Sequence, residues 1–131
     1  MKLNDFKILI AEDDPGIRRI YEKAFKQEGY DVVIASTGGE VLAELHEAAF
    51  DLFITDLKLD AMSALDTLPV VRKKYPKMPV IVVSGYYVNL VEEFHQKGFK
   101  VDMFLNKPLG MDTLKKAVRQ LLGIEQALET A

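Results

Sequence analysis

The 131-residue chain contains no cysteine. That excludes disulfides and thiol chemistry and leaves a cytoplasmic setting as the default expectation. Its Lys and Arg residues form no dense block and the net charge is −3, so a surface for direct nucleic-acid binding is not indicated. The opening MKLNDFKILIAEDD has one short apolar run before charges return, which is neither a signal peptide nor a membrane span. No Gly-rich phosphate loop follows that run. AEDDPG instead places negative charge where a nucleotide phosphate would sit, which argues against nucleotide or flavin binding. There is no internal repeat and no low-complexity segment.

What is present is the profile of an ordinary globular domain, 49% apolar and 28% charged, long enough for one core and too short for two. Apolar runs of strand length alternate five times with segments of helical period. The runs are 6–11, 31–35, 51–55, 79–84 and 101–105. FKILIA and PVIVVS are almost wholly apolar, as strands covered on both faces must be.

Between the first two runs, Ile17, Ile20, Tyr21, Ala24 and Phe25 form one helical stripe. Asp14 before Pro15 predicts its N-cap, and Gly29 its end. Thr37 and Glu40 have capping-box spacing before a second helix that turns Val41, Leu42 and Leu45 inward. The third helix carries Leu65, Leu68, Val71 and Tyr75, but Pro69 falls inside it. Proline fits a first turn and damages an interior, so this helix is expected to start late, near Asp66 or Thr67, or to be kinked. Tyr87, Leu90, Val91 and Phe94 mark a fourth helix ending at Gly98. Met111, Leu114, Val118, Leu121 and Leu122 mark a fifth, ending at Gly123. The alternation predicts a (βα)5 fold: one parallel sheet with helices on both faces, a three-layer α/β/α domain over 1–123. Residues 124–131 are expected to be a tail or the start of a linker.

Ligands of open parallel sheets bind at the carboxyl ends of the strands, where the strand order reverses. Here the first strand ends in Glu12-Asp13-Asp14, the third in Asp56, the fourth in Ser84, and the fifth runs into Lys107-Pro108. If the first and third strands are neighbours, Glu12, Asp13 and Asp56 converge beside a hydroxyl and an ammonium. Two unit charges ~4 Å apart repel by about 4 kcal/mol at an effective dielectric near 20. A hard divalent cation relieves that repulsion through oxygen ligands. Carboxylate, cation and hydroxyl together are equipment for phosphoryl transfer. Each residue has a plainer reading taken singly. Asp14 is most simply a helix cap, Asp51 and Asp60 solvated turn residues, Lys107 a surface lysine, and His46 and His95 lone surface or boundary histidines.

The five strand-end motifs in this order resemble the receiver domains of two-component response regulators, over residues 6 to about 122. The resemblance implies a flavodoxin-like, doubly wound sheet of order 2-1-3-4-5. It implies that Asp56 is the phosphoacceptor and that Glu12, Asp13, Asp56 and the backbone carbonyl of Lys58 surround Mg²⁺ (or Mn²⁺). It further implies that Ser84 and Lys107 meet the phosphoryl oxygens, that Ser84 and Phe104 form a switch, and that the bond to Pro108 is cis. The partners implied are a sensor histidine kinase or histidine phosphotransfer protein, and an output domain or protein that reads the face formed by the fourth helix, fifth strand and fifth helix. A phosphorylation-dependent dimer is compatible with this. The domain would be a signalling phosphoacceptor rather than an enzyme with a separate substrate.

The sequence departs from the family after the acceptor. LDAMSA stands where Met-Pro-x-Met-Asp-Gly is common, with Asp60 in place of the proline and Ala64 in place of the glycine. A different loop path is expected there, since alanine resists the positive φ that glycine allows. Lys58 and Tyr86 flank the acceptor and the hydroxyl, at positions that influence phosphate loss in the family, and are expected to prolong the phosphorylated state. Two other readings remain open at this point: a Mg²⁺-dependent phosphatase with an aspartyl nucleophile, and a receiver that works without phosphate.

Overall fold

Five parallel strands pair in the order β2-β1-β3-β6-β7 in the structure, a computed structural model that describes residues 5–59, 62–85, 96–98, 100–107 and 109–124. They are β1 (Lys7–Ala11), β2 (Asp31–Ala35), β3 (Leu52–Asp56), β6 (Val80–Ser84) and β7 (Met103–Asn106). These are the five predicted strands, and their order is the predicted 2-1-3-4-5. β4 (Lys58–Leu59) and β5 (Met62–Ser63) form a separate antiparallel ribbon. The helices described are α1 (Pro15–Glu28), α2 (Gly38–Glu47), α3 (Ala64–Lys74) and a C-terminal helix (Met111–Leu122). The predicted fourth helix, with Tyr87, Leu90, Val91 and Phe94, lies outside the described residues.

Strand residues alternate between two cores. Ile8, Ile10, Leu52, Ile54, Ile81 and Val83 face α1 and the C-terminal helix, meeting Tyr21, Phe25, Leu114 and Val118. Leu9, Ala11, Phe53, Val80 and Val82 face α2 and α3, meeting Val41, Leu45, Leu68 and Val71. Each large aliphatic side chain so buried contributes about 1.5–3 kcal/mol. This two-sided burial explains why the strands read as continuous apolar runs rather than alternating ones.

The ends of the helices follow local chemistry. The Asp14 carboxylate accepts from the backbone N–H of Gly16 at 2.8 Å and of Ile17 at 3.0 Å, and Pro15 opens α1. Gly29 closes α1 at φ 105, a left-handed conformation that favours glycine. Thr37 Oγ1 caps α2 by accepting from Glu40 N–H at 3.1 Å. Glu40 returns the contact one residue earlier than a capping box would, to Ser36 N–H at 2.8 Å.

Three expectations are corrected. Of the two outcomes expected from Pro69, a late start or a kink, the late start at Asp66 or Thr67 does not hold. α3 starts at Ala64, because Ser63 Oγ accepts from Leu65 N–H at 3.1 Å while Asp66 accepts from Ser63 N–H at 2.9 Å. That capping box sets the first turn, and Pro69 is carried inside the helix. Ile20, predicted to face inward, is 55% exposed. Asp51 is not merely a solvated turn residue. Its carboxylate accepts from Lys7 N–H at 2.7 Å, and its own N–H donates to Lys7 O at 2.8 Å, tying the start of β3 to β1.

Two further contacts stiffen the frame. Arg72, near the end of α3, donates to the carbonyls of Lys100 and Met78 at 2.6 Å each and to the Asp102 carboxylate at 3.2 Å. Gly38 opens α2 so close to the ribbon that a Cβ there would lie 2.6 Å from Met62 Sδ.

Candidate functional site

The pairing register delivers the acids to one rim. Ala11 lies opposite Thr55 and Asp56 opposite Val83, while Ser84 lies opposite Asn106. Glu12 and Asp13 therefore leave β1 next to Asp56, the last residue of β3. Lys107 follows β7, its N–H donating to Ser84 O at 2.8 Å.

Glu12 is 1% exposed. Its backbone N–H donates to Ala35 O at 3.1 Å, and its Oε1 accepts from Asp14 N–H at 3.2 Å. Lys107 Nζ bridges the two acids, donating to Asp56 Oδ2 at 2.8 Å and to Glu12 Oε2 at 3.2 Å. Asp56 Oδ1 accepts from Leu57 N–H at 2.8 Å. One carboxylate oxygen of each of Glu12, Asp13 and Asp56 lies within 4.8 Å of the others.

Burial pushes the Glu12 carboxyl up from its ordinary value. The Asp14 N–H opposes that, the charge of Asp56 adds to it, and Lys107 draws it back. Burial works against the Lys107 ammonium, but its hydrogen bond and ion pair with Asp56, then those with Glu12, outweigh it and hold its pKa above the usual lysine value. The rim is thus a concentrated negative site in which Lys107 pairs with two of the acids. Its donors are hard carboxylate oxygens, one held in a fixed, desolvated place, and this set fits a divalent cation such as Mg²⁺ better than a softer metal.

The other sequence candidates are distributed around this centre. Ser84 is 5% exposed at the end of β6, the strand beside Asp56. Lys58 opens the ribbon two residues after Asp56 and is exposed. Phe104 pairs in register with Val82 and packs partly buried against the α2/α3 core. Tyr86, Asp60 and Pro108 lie outside the described residues. His46 is exposed.

Two residues at the site were not singled out in the sequence. Leu57 shares its N–H between Asp56 Oδ1 at 2.8 Å and Val83 O at 3.1 Å, and its carbonyl accepts from Ala64 N–H at 2.6 Å, linking the acid to the start of α3. Backbone groups of this kind leave no signature in residue type. Arg18 sends its guanidinium to the Glu12 and Asp13 carbonyls, at 3.2 and 3.5 Å. On a helix surface it reads as a solvated arginine, no different in sequence from Arg19 beside it.

A family model described as the response regulator receiver domain matches residues 8–119. The transcriptional regulatory protein GlrR of Escherichia coli (strain K12) is 34% identical over 117 residues, covering 88% of this chain and 26% of that protein. The chain therefore spans about a quarter of the length of that curated relative. Among solved structures, a CheY-like response regulator receiver domain protein from Methanospirillum hungatei JF-1 is similar, with a TM-score of 0.80 and 32% identity, covering 93% of this chain and 98% of that one. The response regulator TrrA from Thermotoga maritima, solved in complex with Mg(2+)-BeF, has a TM-score of 0.74 and 26% identity over 88% of this chain and 98% of that one.

Proposed function

Because the chain belongs to the response regulator receiver domain family and so serves as a receiver of two-component signalling, we propose that Asp56 is its phosphoacceptor. The observation that carries this reading is the position of Asp56: last residue of β3, Oδ2 at 2.8 Å from Lys107 Nζ, with oxygens of Glu12 and Asp13 within 4.8 Å. Glu12 is likewise held by a backbone N–H and the lysine, but it is 1% exposed, whereas Asp56 is only partly buried and has the shorter contact to Lys107, 2.8 against 3.2 Å.

An Asp56 carboxylate oxygen attacks the phosphorus of a phosphohistidine. The O–P bond forms, the P–N bond to the donor breaks, and the imidazole leaves as the phosphoryl group becomes an acyl phosphate. Lys107 offsets charge gathering on the phosphoryl oxygens, and the Ser84 hydroxyl, one strand away, donates to one of them. Leu57 N–H fixes the rotation of the carboxylate. Mg²⁺, when bound by Glu12, Asp13, Asp56 and the Lys58 carbonyl, neutralises the charge that the donor and acceptor bring together. In TrrA a related receiver holds Mg(2+)-BeF, which supports the same cation for this set of oxygens. Manganese, with similar oxygen preference, is the expected substitute.

The donor is a sensor histidine kinase or a histidine phosphotransfer protein. Phosphate biases a pre-existing equilibrium in which Ser84 moves toward the phosphoryl group and Phe104 follows. The reader is an output domain or partner, a role that the transcriptional regulators among the relatives support. The domain acts as a signalling phosphoacceptor that assists its own phosphorylation, in the cytoplasm. The phosphatase and phosphate-independent readings gain nothing from the comparisons.

Incubation with a small phosphodonor and Mg²⁺ tests the assignment. The expected product carries one hydroxylamine-labile phosphate, and Asp56→Asn takes up none. An Asp56→Asn protein labelled to the wild-type level would reject it.

A further inference from the structure

Three consecutive carbonyls of the acidic loop accept from a single residue. Arg18 N–H donates to Asp14 O at 2.8 Å as part of the first turn of α1. Its guanidinium Nη1 then reaches back to Glu12 O at 3.2 Å and Asp13 O at 3.5 Å. The side chain is half-buried. The segment has fixed ends: Glu12 N–H on Ala35 O at one side and the Asp14 cap at the other. Between them, the Glu12 and Asp13 peptides carry the two carboxylates that approach Asp56. We propose that Arg18 is a positioning residue for the acidic pocket, holding these two peptide carbonyls toward α1 so that the Glu12 and Asp13 carboxylates stay on the side of Asp56 and bind the divalent cation.

This rests on the Mg²⁺ reading above, but its sign separates positioning from charge. Arg18 is a cation beside a cluster of acids. If only its charge mattered, removing it would tighten binding of another cation. If it orients the ligands, removing it weakens binding, as losing a group that orients metal ligands does. Lysine keeps the charge but replaces a planar fork with one flexible ammonium, so it recovers only part of the effect.

The experiment is calorimetric titration of Mg²⁺ alone into the full chain, without phosphodonor, for wild type, Arg18→Met, Arg18→Lys and Asp13→Asn. Circular dichroism confirms that each variant is folded. The expected result is a Kd raised about ten-fold in Arg18→Met, the low end for residues that orient metal ligands, with Arg18→Lys in between. An Arg18→Met protein that binds Mg²⁺ as tightly as wild type, or more tightly, overturns the proposal. If Arg18→Met does not fold, Arg18→Lys decides, and an unchanged Kd there overturns it. The underlying metal reading fails separately, and this proposal with it, if wild type binds no Mg²⁺ or if Asp13→Asn binds it as wild type does.

Discussion

Lys107→Met withdraws the cation that bridges Glu12 and Asp56, and the cost follows from the geometry. The attractions at 2.8 Å to Asp56 and 3.2 Å to Glu12 amount to about 6 and about 5 kcal/mol at an effective dielectric near 20. These are gross values, and desolvation of the ammonium offsets much of them. The variant leaves Glu12, 1% exposed, with its carboxylate within 4.8 Å of that of Asp56. On the same scale their repulsion is about 3 kcal/mol. Breaking a fully buried pair by deleting one partner costs about 3–5 kcal/mol. The Lys107 side chain is 23% exposed, so water screens part of this, and the expected loss at neutral pH without divalent cation is about 2–3 kcal/mol.

The loss should depend on pH with a definite sign. Burial first, then Asp56, raises the Glu12 pKa above 4.5, while the Asp14 N–H and Lys107 lower it. An acid with a raised folded-state pKa costs stability as pH rises through that value, and the cost is relieved as pH falls. Without Lys107 the Glu12 pKa rises further, so the deficit of the variant shrinks as pH is lowered from neutral toward 4.5. Millimolar Mg²⁺ should narrow the gap too, because it replaces the missing cation in the folded state. The chain has no tryptophan, so urea unfolding followed by far-ultraviolet circular dichroism is the suitable assay. A Lys107→Met protein as stable as wild type, or a deficit that grows as pH falls, would refute the reasoning.

Other outcomes follow from the same structure. Arg72→Met deletes donors to Lys100, Met78 and Asp102 from a side chain only 11% exposed; it should cost about 2–4 kcal/mol in urea unfolding while leaving phosphate uptake per folded molecule unchanged. Gly38→Ala places a Cβ 2.8 Å from Met62 Cβ and should cost about 1–3 kcal/mol, with Gly38→Ala/Met62→Ala losing clearly less than the sum of the single changes in a double-mutant cycle. Lys58→Asn removes an exposed cation two residues after Asp56 and should shorten the phosphorylated lifetime several-fold when decay of the phosphoprotein is timed; an unchanged or longer lifetime contradicts the part given to Lys58.

The strands were legible because burial on both sheet faces leaves runs such as KILIA and VIVVS with no polar interruption, and the sheet order followed from the resemblance. Asp14-Pro15 and Gly29 were legible because capping chemistry is local. The start of α3 was not, since two local rules compete there. Pro69 argues for a late start, but the reciprocal Ser63 and Asp66 hydrogen bonds set the first turn at Ala64. The ribbon was visible only as a departure from a familiar motif, because two pairs of residues are too few to show a period. Ile20 lies on the apolar stripe of α1 yet near its edge, and periodicity does not tell where the covering helices stop. Glu12, Asp13, Asp56, Ser84 and Lys107 could be named as candidates for the site from strand ends alone. The parts supplied by Leu57 and Arg18 could not, because they act on backbone carbonyls and on one carboxylate oxygen, and only folding shows which are in reach.

Whether Asp56, and no other acid of the rim, carries the phosphate is decided by phosphorylating the wild-type chain with a small phosphodonor and Mg²⁺, trapping the acyl phosphate by borohydride reduction, and locating the reduced residue by peptide mass spectrometry. The expected result is a single reduced site at Asp56, lost when Mg²⁺ is withheld. A reduced residue at Glu12, Asp13 or elsewhere, or no trapped residue in a chain that has taken up phosphate, would contradict it.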